Sequence, residues 1–441
     1  MKNITAASDL MYGSSYYLQY RYAALFGRIN YLYDGKYILN ITARRDGSSR
    51  FGPGRQFANF GAVGAAWIFS KERFISRTMP FLSFGKLRGS FGITGNDQIS
   101  DYQYLDAYKP STGAYQNVVG LTPARLANPN FSWEQNSKLE GAIELGFVNS
   151  RINMSVSLYR NESSSQLVGY PIPPTTGFAS IQANFPATVR NSGAEFELTT
   201  TNIEAKAFTW TSAVNVSIPH NKLVSFPGIE NTSYADQYVV GEPLSVRKLY
   251  RYVGVDQTVG LYQFADVNDD GNIDYLDQQS VQFVGQRWYG GFQNRLSYRG
   301  FELDFIFQFV NQSARNEYYV MGSPGSMQNQ RPEVLGRWRL EGDQSSIQRY
   351  GQSYETDGTY SQLQESDHSI GGASYMRLKN ISFSYALPVK WTSALRIKQL
   401  ETFVHAQNLF TVTSFKGLDP ETPGLLLPPL RVVTLGISVS F

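Results

Sequence analysis

The chain has 441 residues, with 39 lysines and arginines against 36 aspartates and glutamates, and no cysteine. The even charge balance leaves no excess field to steer a nucleic acid, and the lack of thiols excludes a disulfide scaffold and any cysteine-based metal or nucleophile site. Aromatic residues make up 14%, with 29 tyrosines and 28 phenylalanines. No run of about 18 apolar residues offers a transmembrane helix, so the composition points to extensive antiparallel β-structure.

Residues 1–19 show no clear period and read as a loop, and MKNITAASDLMYGSS lacks the apolar stretch of a signal peptide. Tyr20–Tyr33 reads as a strand that Asp34-Gly35-Lys36 turns into the next. There Tyr37, Leu39, Ile41 and Ala43 alternate with Ile38, Asn40, Thr42 and Arg44. The Gly/Ser-rich DGSSRFGPG (46–54) leads into Phe57–Phe69, and Leu82–Thr94 follows. After a polar loop at 96–132, Trp133–Phe147 carries Leu139, Ile143, Leu145 and Phe147 on one face and Lys138, Glu140 and Glu144 on the other. Asn149-Ser150 turns the chain into Ile152, Met154, Val156 and Leu158.

A Pro/Thr-rich loop at 164–187 precedes Ala194, Phe196 and Leu198, which oppose Glu195 and Glu197. Phe208, Trp210, Val214 and Val216 continue the pattern. The longest loops, 220–285 and 314–372, flank a clear hairpin of Arg287–Tyr298 and Phe301–Phe309 joined by Arg299-Gly300. Further strands are expected at 373–387, 397–410 and 430–441. In the last, Val433, Leu435, Ile437, Val439 and Phe441 alternate with Thr434, Gly436, Ser438 and Ser440. Its length of about ten residues is what a tilted strand needs to cross a bilayer.

The connections alternate in length. Short ones fall near 34–36, 70–80, 148–150, 202–205, 299–300 and 388–396, and long ones near 46–56, 96–132, 164–187, 220–285, 314–372 and 411–429. Outer-membrane barrels have short periplasmic turns and long extracellular loops, whereas a soluble sandwich has no reason to gather every long loop at one end. The pattern therefore predicts an all-β fold, a transmembrane antiparallel β-barrel wall. The tally of about thirteen strands is odd, so the first and last run the same way and cannot pair antiparallel to close a barrel. The expected wall is part of a larger one.

The series of motifs resembles the C-terminal half of a SusC/RagA-type TonB-dependent outer-membrane transporter. The matching stretches are RRDGSSRFG (44–52), GKLRGSFGITGN (85–96), NPNFSWEQ (128–135), TTGF (175–178) and NSGAEFEL (191–198). They continue with GLYQFADVNDDGNIDYLDQ (260–278), ASYMRLKNISFSYALP (373–388), QNLFTVTSFKGLDPETP (407–423) and the terminal strand. The resemblance implies a barrel of about 22 strands with a luminal plug, import of oligosaccharides or peptides, a SusD-like surface lipoprotein as lid, and energy from the TonB complex. Under it, residues 1–441 are the C-terminal part of the barrel. The plug domain, the TonB-contacting segment and the N-terminal strands would then lie outside this chain.

One stretch carries explicit site chemistry. Asp266, Asn268, Asp270, Asn272, Asp274 and Asp277 occupy positions 1, 3, 5, 7, 9 and 12 of a Ca²⁺ loop, with Gly271 at the sharp turn and Ile273 as an apolar anchor. Asp266, Asn268 and Asp270 supply side-chain oxygens, Asn272 its carbonyl, Asp274 a ligand through water, and Asp277 closes the site. Aspartate at position 12 reaches less far than glutamate. The competing reading is an Asx-rich surface turn that binds nothing. Counting connections back from Phe441 places the loop on the cell surface.

The other residues that stand out have plain readings. DGSSRFG (46–52) follows no phosphate-loop spacing and reads as a hairpin tip. Glu195, Glu197, Arg295, Glu302 and Asp304 are expected in a wet lumen, lining a solute path or merely hydrating the interior or pairing with one another. Trp67, Trp133, Trp210 and Trp288 read as interface girdle residues. Tyr16, Tyr17, Tyr104, Tyr108 and Tyr115 are candidates for stacking on sugar rings or for loop packing. His220, His368 and His405 are scattered, and no catalytic triad or zinc pattern is present, so the chain reads as a non-enzyme. The leading function is energy-coupled uptake through the outer membrane. The alternatives are a non-transporting fragment, a surface-binding barrel or a passive porin.

Overall fold

A computed structural model of the chain describes residues 17–441 except 117, 173, 179, 393–396 and 425. Its framework is one antiparallel sheet whose path runs through thirteen strands in chain order. These are β1 (Tyr22–Tyr33), β2 (Tyr37–Ser48), β3 (Phe57–Trp67), β4 (Leu82–Asn96), β5 (Glu134–Phe147), β6 (Ile152–Ser164) and β7 (Thr188–Glu204). There follow β8 (Phe208–Ser225), β9 (Gly285–Tyr298), β10 (Phe301–Arg315), β11 (Tyr375–Ala386), β12 (Gln399–Gln407) and β13 (Val432–Ser440). Two short strands, Ile370–Gly372 and Thr411–Thr413, extend β10 and β11 at one rim. Among the described residues β1 and β13 are the two ends of the path and do not pair.

The period-two patterning is what makes the wall. Side chains alternate across a pleated strand, so matched registers gather apolar residues into rows on one face. Ile41 lies opposite Ile29 and Val63, Val63 opposite Phe91, and Phe91 opposite Leu139. Leu303, Phe383, Val404 and Leu435 form a second row. Leu435 is 75% and Ile437 67% exposed, so this face is covered by no other part of the chain. The hairpins turn where short-range chemistry demands it: Arg299 and Gly300 both adopt positive φ, 47° and 90°, as a primed two-residue turn requires. Gly436 is needed for a different reason, since the ring of Phe403 lies directly over it and leaves no room for a Cβ.

Several strands outrun the membrane. β7 has 17 residues and β8 has 18, against the roughly 9–11 that a tilted spanning strand uses. The surplus rises at the loop rim, where the long connections are not the plain loops the sequence suggested. The stretch 96–132 contains a hairpin, Ala107–Tyr115 with Val118–Arg125, and 164–187 another, Gln166–Pro171 with Ser180–Phe185. The stretch 220–285 holds two small antiparallel pairs, and 314–372 holds the helix Tyr354–Gln364. That helix is set by a capping box of Ser353 and Thr356.

Three buried clusters sit at this rim. Phe51, Phe131 and Trp133 form one, and Phe185, Ala187, Val189, Leu223 and Phe226 a second. The third joins the two longest loops through Tyr250, Tyr262, Phe264, Met321, Val334, Tyr360 and Leu363. Among the described residues no helix is long and apolar enough to cross a membrane.

Candidate functional site

The inner face of the wall is polar and charged. Lys86 on β4 reaches Glu144 on β5 at 3.2 Å, and Arg88 holds both Glu140 and Glu144. Across β9 and β10, Arg295 lies 3.1 Å from Glu302 and 3.6 Å from Asp304, whose carboxylate also accepts from Gln293 Nε2 at 2.8 Å. These luminal charges therefore mostly pair with one another. Glu195 and Glu197 differ: among the described residues neither has an ion-pair partner. Glu195 borders clefts of about 460 Å³ and 500 Å³, and Glu197 borders the second.

The acidic loop 266–277 is knit by hydrogen bonds from its own amides to its side chains. Asp266 accepts from the amides of Asp270 and Gly271 at 3.3 and 2.8 Å, Asn268 from Asp270 at 3.1 Å, and Asp270 from Asn272 at 2.8 Å. Asn268 Nδ2 donates to Asp270 Oδ2 at 2.9 Å. Positions 1, 3 and 5 are thus wrapped around one tight turn, with φ of 58° at Asp269 and 83° at Gly271.

Asp277 is fully buried. Its Oδ1 accepts from the Val267 amide at 2.7 Å and its Oδ2 from the Asp274 amide at 3.0 Å, so it clamps the two ends of the loop together. The amides of Asp274 and Val267 hold its carboxyl below the usual carboxylate range. Asp274 caps the short helical turn Tyr275–Asp277 by accepting from the Leu276 amide. Ile273 packs on the third loop cluster, and its carbonyl accepts from Gln362 of the helix Tyr354–Gln364 at 3.2 Å.

The donor set is right in kind for Ca²⁺, since all six residues offer oxygen and each amide-bonded carboxylate oxygen keeps a second lone pair. The side chains are not gathered around one point. Among the described residues no three acidic or histidine side chains come together as a metal-ligand group.

The tryptophan reading needs one correction. Trp67 and Trp210 lie near the turn rim and Trp288, 40% exposed, near the other end of its strand. Trp133 is no girdle residue. It is buried, with Phe51 and Phe60 ring centroids at 5.1 and 5.4 Å, and its indole N–H donates to the Gln56 carbonyl at 2.9 Å. It belongs to a loop core above the wall. Tyr104 packs against that same core, whereas Tyr17 and Tyr108 are exposed. Tyr16 and the side chain of Tyr115 lie outside the described residues.

Sequence reasoning missed a buried ion cluster. Arg377 on β11 is 1% exposed and holds Asp419 at 2.5 Å and Glu421 at 2.6 Å, with its Nε donating to Thr411 Oγ1 at 2.8 Å. Lys379 adds a second cation to Glu421 at 2.8 Å. The connection between β12 and β13 is thereby latched to the wall. Its residues stand in the quoted motifs ASYMRLKN and GLDPETP, but nothing local in either marks them as partners. His368 was likewise unassigned. It is packed between Tyr252 and Tyr318, with ring centroids 4.3 Å from each, where the two longest loops meet.

Comparison with known proteins completes the picture. A family model described as TonB dependent receptor-like, beta-barrel, matches residues 3–409. The chain is 28% identical to TonB-dependent receptor P3 of Formosa agariphila, over 100% of this chain and 47% of that protein. It is 26% identical to the TonB-dependent receptor SusC of Bacteroides thetaiotaomicron, over 94% of this chain and 43% of that protein. The structure of the RagAB peptide transporter matches with a TM-score of 0.81 and 25% identity, covering 96% of this chain and 48% of the other. The chain thus spans about half the length of the curated relatives it matches. On these grounds it belongs to the TonB-dependent receptor-like β-barrel family of the outer membrane, among the SusC- and RagA-like receptors.

Proposed function

We propose that the chain forms one side of the wall, and much of the outer mouth, of an energy-coupled importer of oligosaccharides or peptides. In this reading it works with a SusD-like surface lipoprotein over its loops and draws energy from a TonB complex. What carries the reading is the likeness to the RagAB peptide transporter, which extends over 96% of the chain at a TM-score of 0.81. That coverage takes in the elaborated loop rim as well as the wall. A polar inner face with apolar rows outside suits a solute path through lipid.

Uptake in cells distinguishes this from a porin. Deleting the gene abolishes accumulation of an oligosaccharide or a peptide, and a protonophore abolishes it in the wild type. Uptake that persists after the proton gradient is collapsed points to passive diffusion and overturns energy coupling. Affinity purification of the tagged protein from native membranes brings down a surface lipoprotein, and its absence there removes the lid from the reading.

We also propose that the 266–277 loop takes Ca²⁺ as a structural ion. Asp266, Asn268 and Asp270 would supply side-chain oxygens, Asn272 its carbonyl and Asp274 a ligand through water, with Asp277 closing the site. The ion would hold a connection of some 60 residues in one shape, where closure of a long flexible segment is entropically unfavourable. A site on the cell surface needs only an extracellular-type dissociation constant of roughly 10⁻⁴–10⁻³ M. Titration calorimetry at millimolar Ca²⁺ detects binding heat, and a flat trace rejects the site.

A further inference from the structure

The short connection between β3 and β4, SKERFISRTMPF (70–81), contains a helix, Arg73–Thr78. Pro80 stops it, since the residue before a proline is driven out of the helical region, and Met79 sits at φ −128° and ψ 63°. The connection folds back onto the outer side of the wall at the turn rim. Tyr37, Trp67 and Leu87 lie opposite one another, each an even number of residues along its strand from Ile41, Val63 or Phe91, and so share the same apolar face. The Phe69 ring covers that face at Gly85, where it leaves no room for a Cβ, and meets Trp67 edge-on at 5.7 Å. Glu72, just before the helix, accepts from the Tyr37 hydroxyl at 2.7 Å and from the Trp67 indole N–H at 3.3 Å. Phe81, just after it, stacks on Phe147 at 6.2 Å.

Anchored in this way, the segment presents two kinds of surface. Phe74 is 60%, Phe81 53% and Met79 37% exposed, apolar area that is unfavourable against water. Beside Phe74, Arg73 and Arg77 are exposed and one helical turn apart, so they share a stripe. Among the described residues neither has an ion-pair partner. Lys71 Nζ donates to the Gly35 carbonyl at 2.9 Å, which leaves its charge without a carboxylate. The acids nearby are engaged elsewhere: Asp34 holds Lys36 at 2.8 Å, and Glu72 holds Lys36 at 3.4 Å as well as the two aromatic donors. Lys71 and Arg73 act on Asp34 only through space. Across the two turns, Lys36, Lys71, Arg73 and Arg77 thus outnumber Asp34 and Glu72.

We propose that this segment lies in the periplasmic leaflet of the outer membrane and binds an anionic phospholipid there. Arg73 and Arg77 meet the phosphate, and Phe74 and Phe81 enter the acyl boundary. The turn rim of an outer-membrane barrel faces the periplasm, and the segment continues the apolar face that meets hydrocarbon. A helix with aromatic residues beside a basic stripe binds an interface through buried apolar area and attraction to anionic lipid. Soluble phosphate would answer the arginines and leave the rings in water, whereas a phospholipid answers both.

Native mass spectrometry of the full-length protein tests this, with phosphatidylglycerol, phosphatidylethanolamine of the same acyl chains, or inorganic phosphate added to the detergent. The wild type retains phosphatidylglycerol in preference to phosphatidylethanolamine and retains no phosphate. Arg73→Gln combined with Arg77→Gln weakens phosphatidylglycerol binding by about tenfold or more. Lysine at both positions keeps the preference, because the charge remains. Phe74→Ser weakens both lipids alike, by about threefold or more. Heat-modifiable migration of every variant stays that of the wild type. Equal retention of the two lipids overturns the proposal, and so does phosphate bound in place of lipid or a double glutamine variant that binds like the wild type. An equal loss in Lys206→Gln, an exposed cation on the turn between β7 and β8, also overturns it, since the preference then belongs to the rim as a whole.

Discussion

At the scale of single residues, two loop side chains set testable behaviour. Asp266 and Asp270 hold the tight turn of the acidic loop through three amide contacts, and both are proposed ligands. Asp266→Ala or Asp270→Ala therefore raises protease sensitivity between β8 and β9 while the wall keeps its heat-modifiable migration. Cleavage that ignores both substitutions and added Ca²⁺ would remove the loop's structural role.

His368 gives a pH dependence. Burial between two tyrosines lowers its pKa, and the opposing pull of Asp367 and Glu317 is the smaller effect. The neutral ring is favoured in the folded loops, so the unfolded segment takes up the proton first as pH falls through about 6.5. Stability of this junction then drops with falling pH until the folded pKa is reached. Amide exchange across 314–372, corrected for its intrinsic rate, is expected to accelerate below that pH in the wild type and to stay level in His368→Phe.

At the scale of elements, the wall and the loop cores are held by different forces. The latch of Arg377 with Asp419 is a desolvated ion pair, so removing the cation leaves the buried Asp419 without compensation and Glu421 with Lys379 alone. Breaking such a pair from one side costs about 3–5 kcal/mol. Arg377→Met is expected to release the connection between β12 and β13 to proteolysis. Arg377→Lys fails to restore it, because an ammonium cannot hold two carboxylates and a hydroxyl in a planar fork. Protection of the loop in either variant would show that packing alone holds it.

Trp133 plays the corresponding part in an apolar core. Trp133→Ala removes a buried ring worth about 3–5 kcal/mol and is expected to expose 49–56 and 97–132 to protease. The pairing of successive strands from β2 through β5 should survive. A change in membrane insertion instead would return Trp133 to the interface role that its burial argues against.

At the scale of the whole molecule, the governing fact is that, among the described residues, β1 and β13 each leave one flank unpaired. In lipid each orphan backbone group costs several kcal/mol, and an open edge also invites pairing with other chains. Residues 1–441 expressed by themselves are therefore expected to aggregate or be degraded in the periplasm. Co-expression with the complementary half of a full-length relative restores a heat-modifiable band on gels. A stable, heat-modifiable 1–441 in membranes would contradict the open wall.

Local patterning was enough to define the wall. Each of the thirteen strands was legible because period two and hairpin chemistry are local: Asp34-Gly35 and Arg299-Gly300 turn the chain whatever lies elsewhere, and an apolar stripe that must meet lipid leaves no freedom in register. The acidic loop was legible for the same reason, since its turn is made by side chains bonding amides two to five residues away. What stands above the wall depends on contacts between distant segments. Trp133 looks like an interface residue until Phe51 and Phe60 are seen around it. Arg377 and Asp419 are 42 positions apart and pair because β11 carries one to the loop that carries the other. His368, packed between Tyr252 and Tyr318, likewise joins segments far apart along the chain. Periodicity reports which face a residue occupies, whereas which distant loop covers that face is settled by packing.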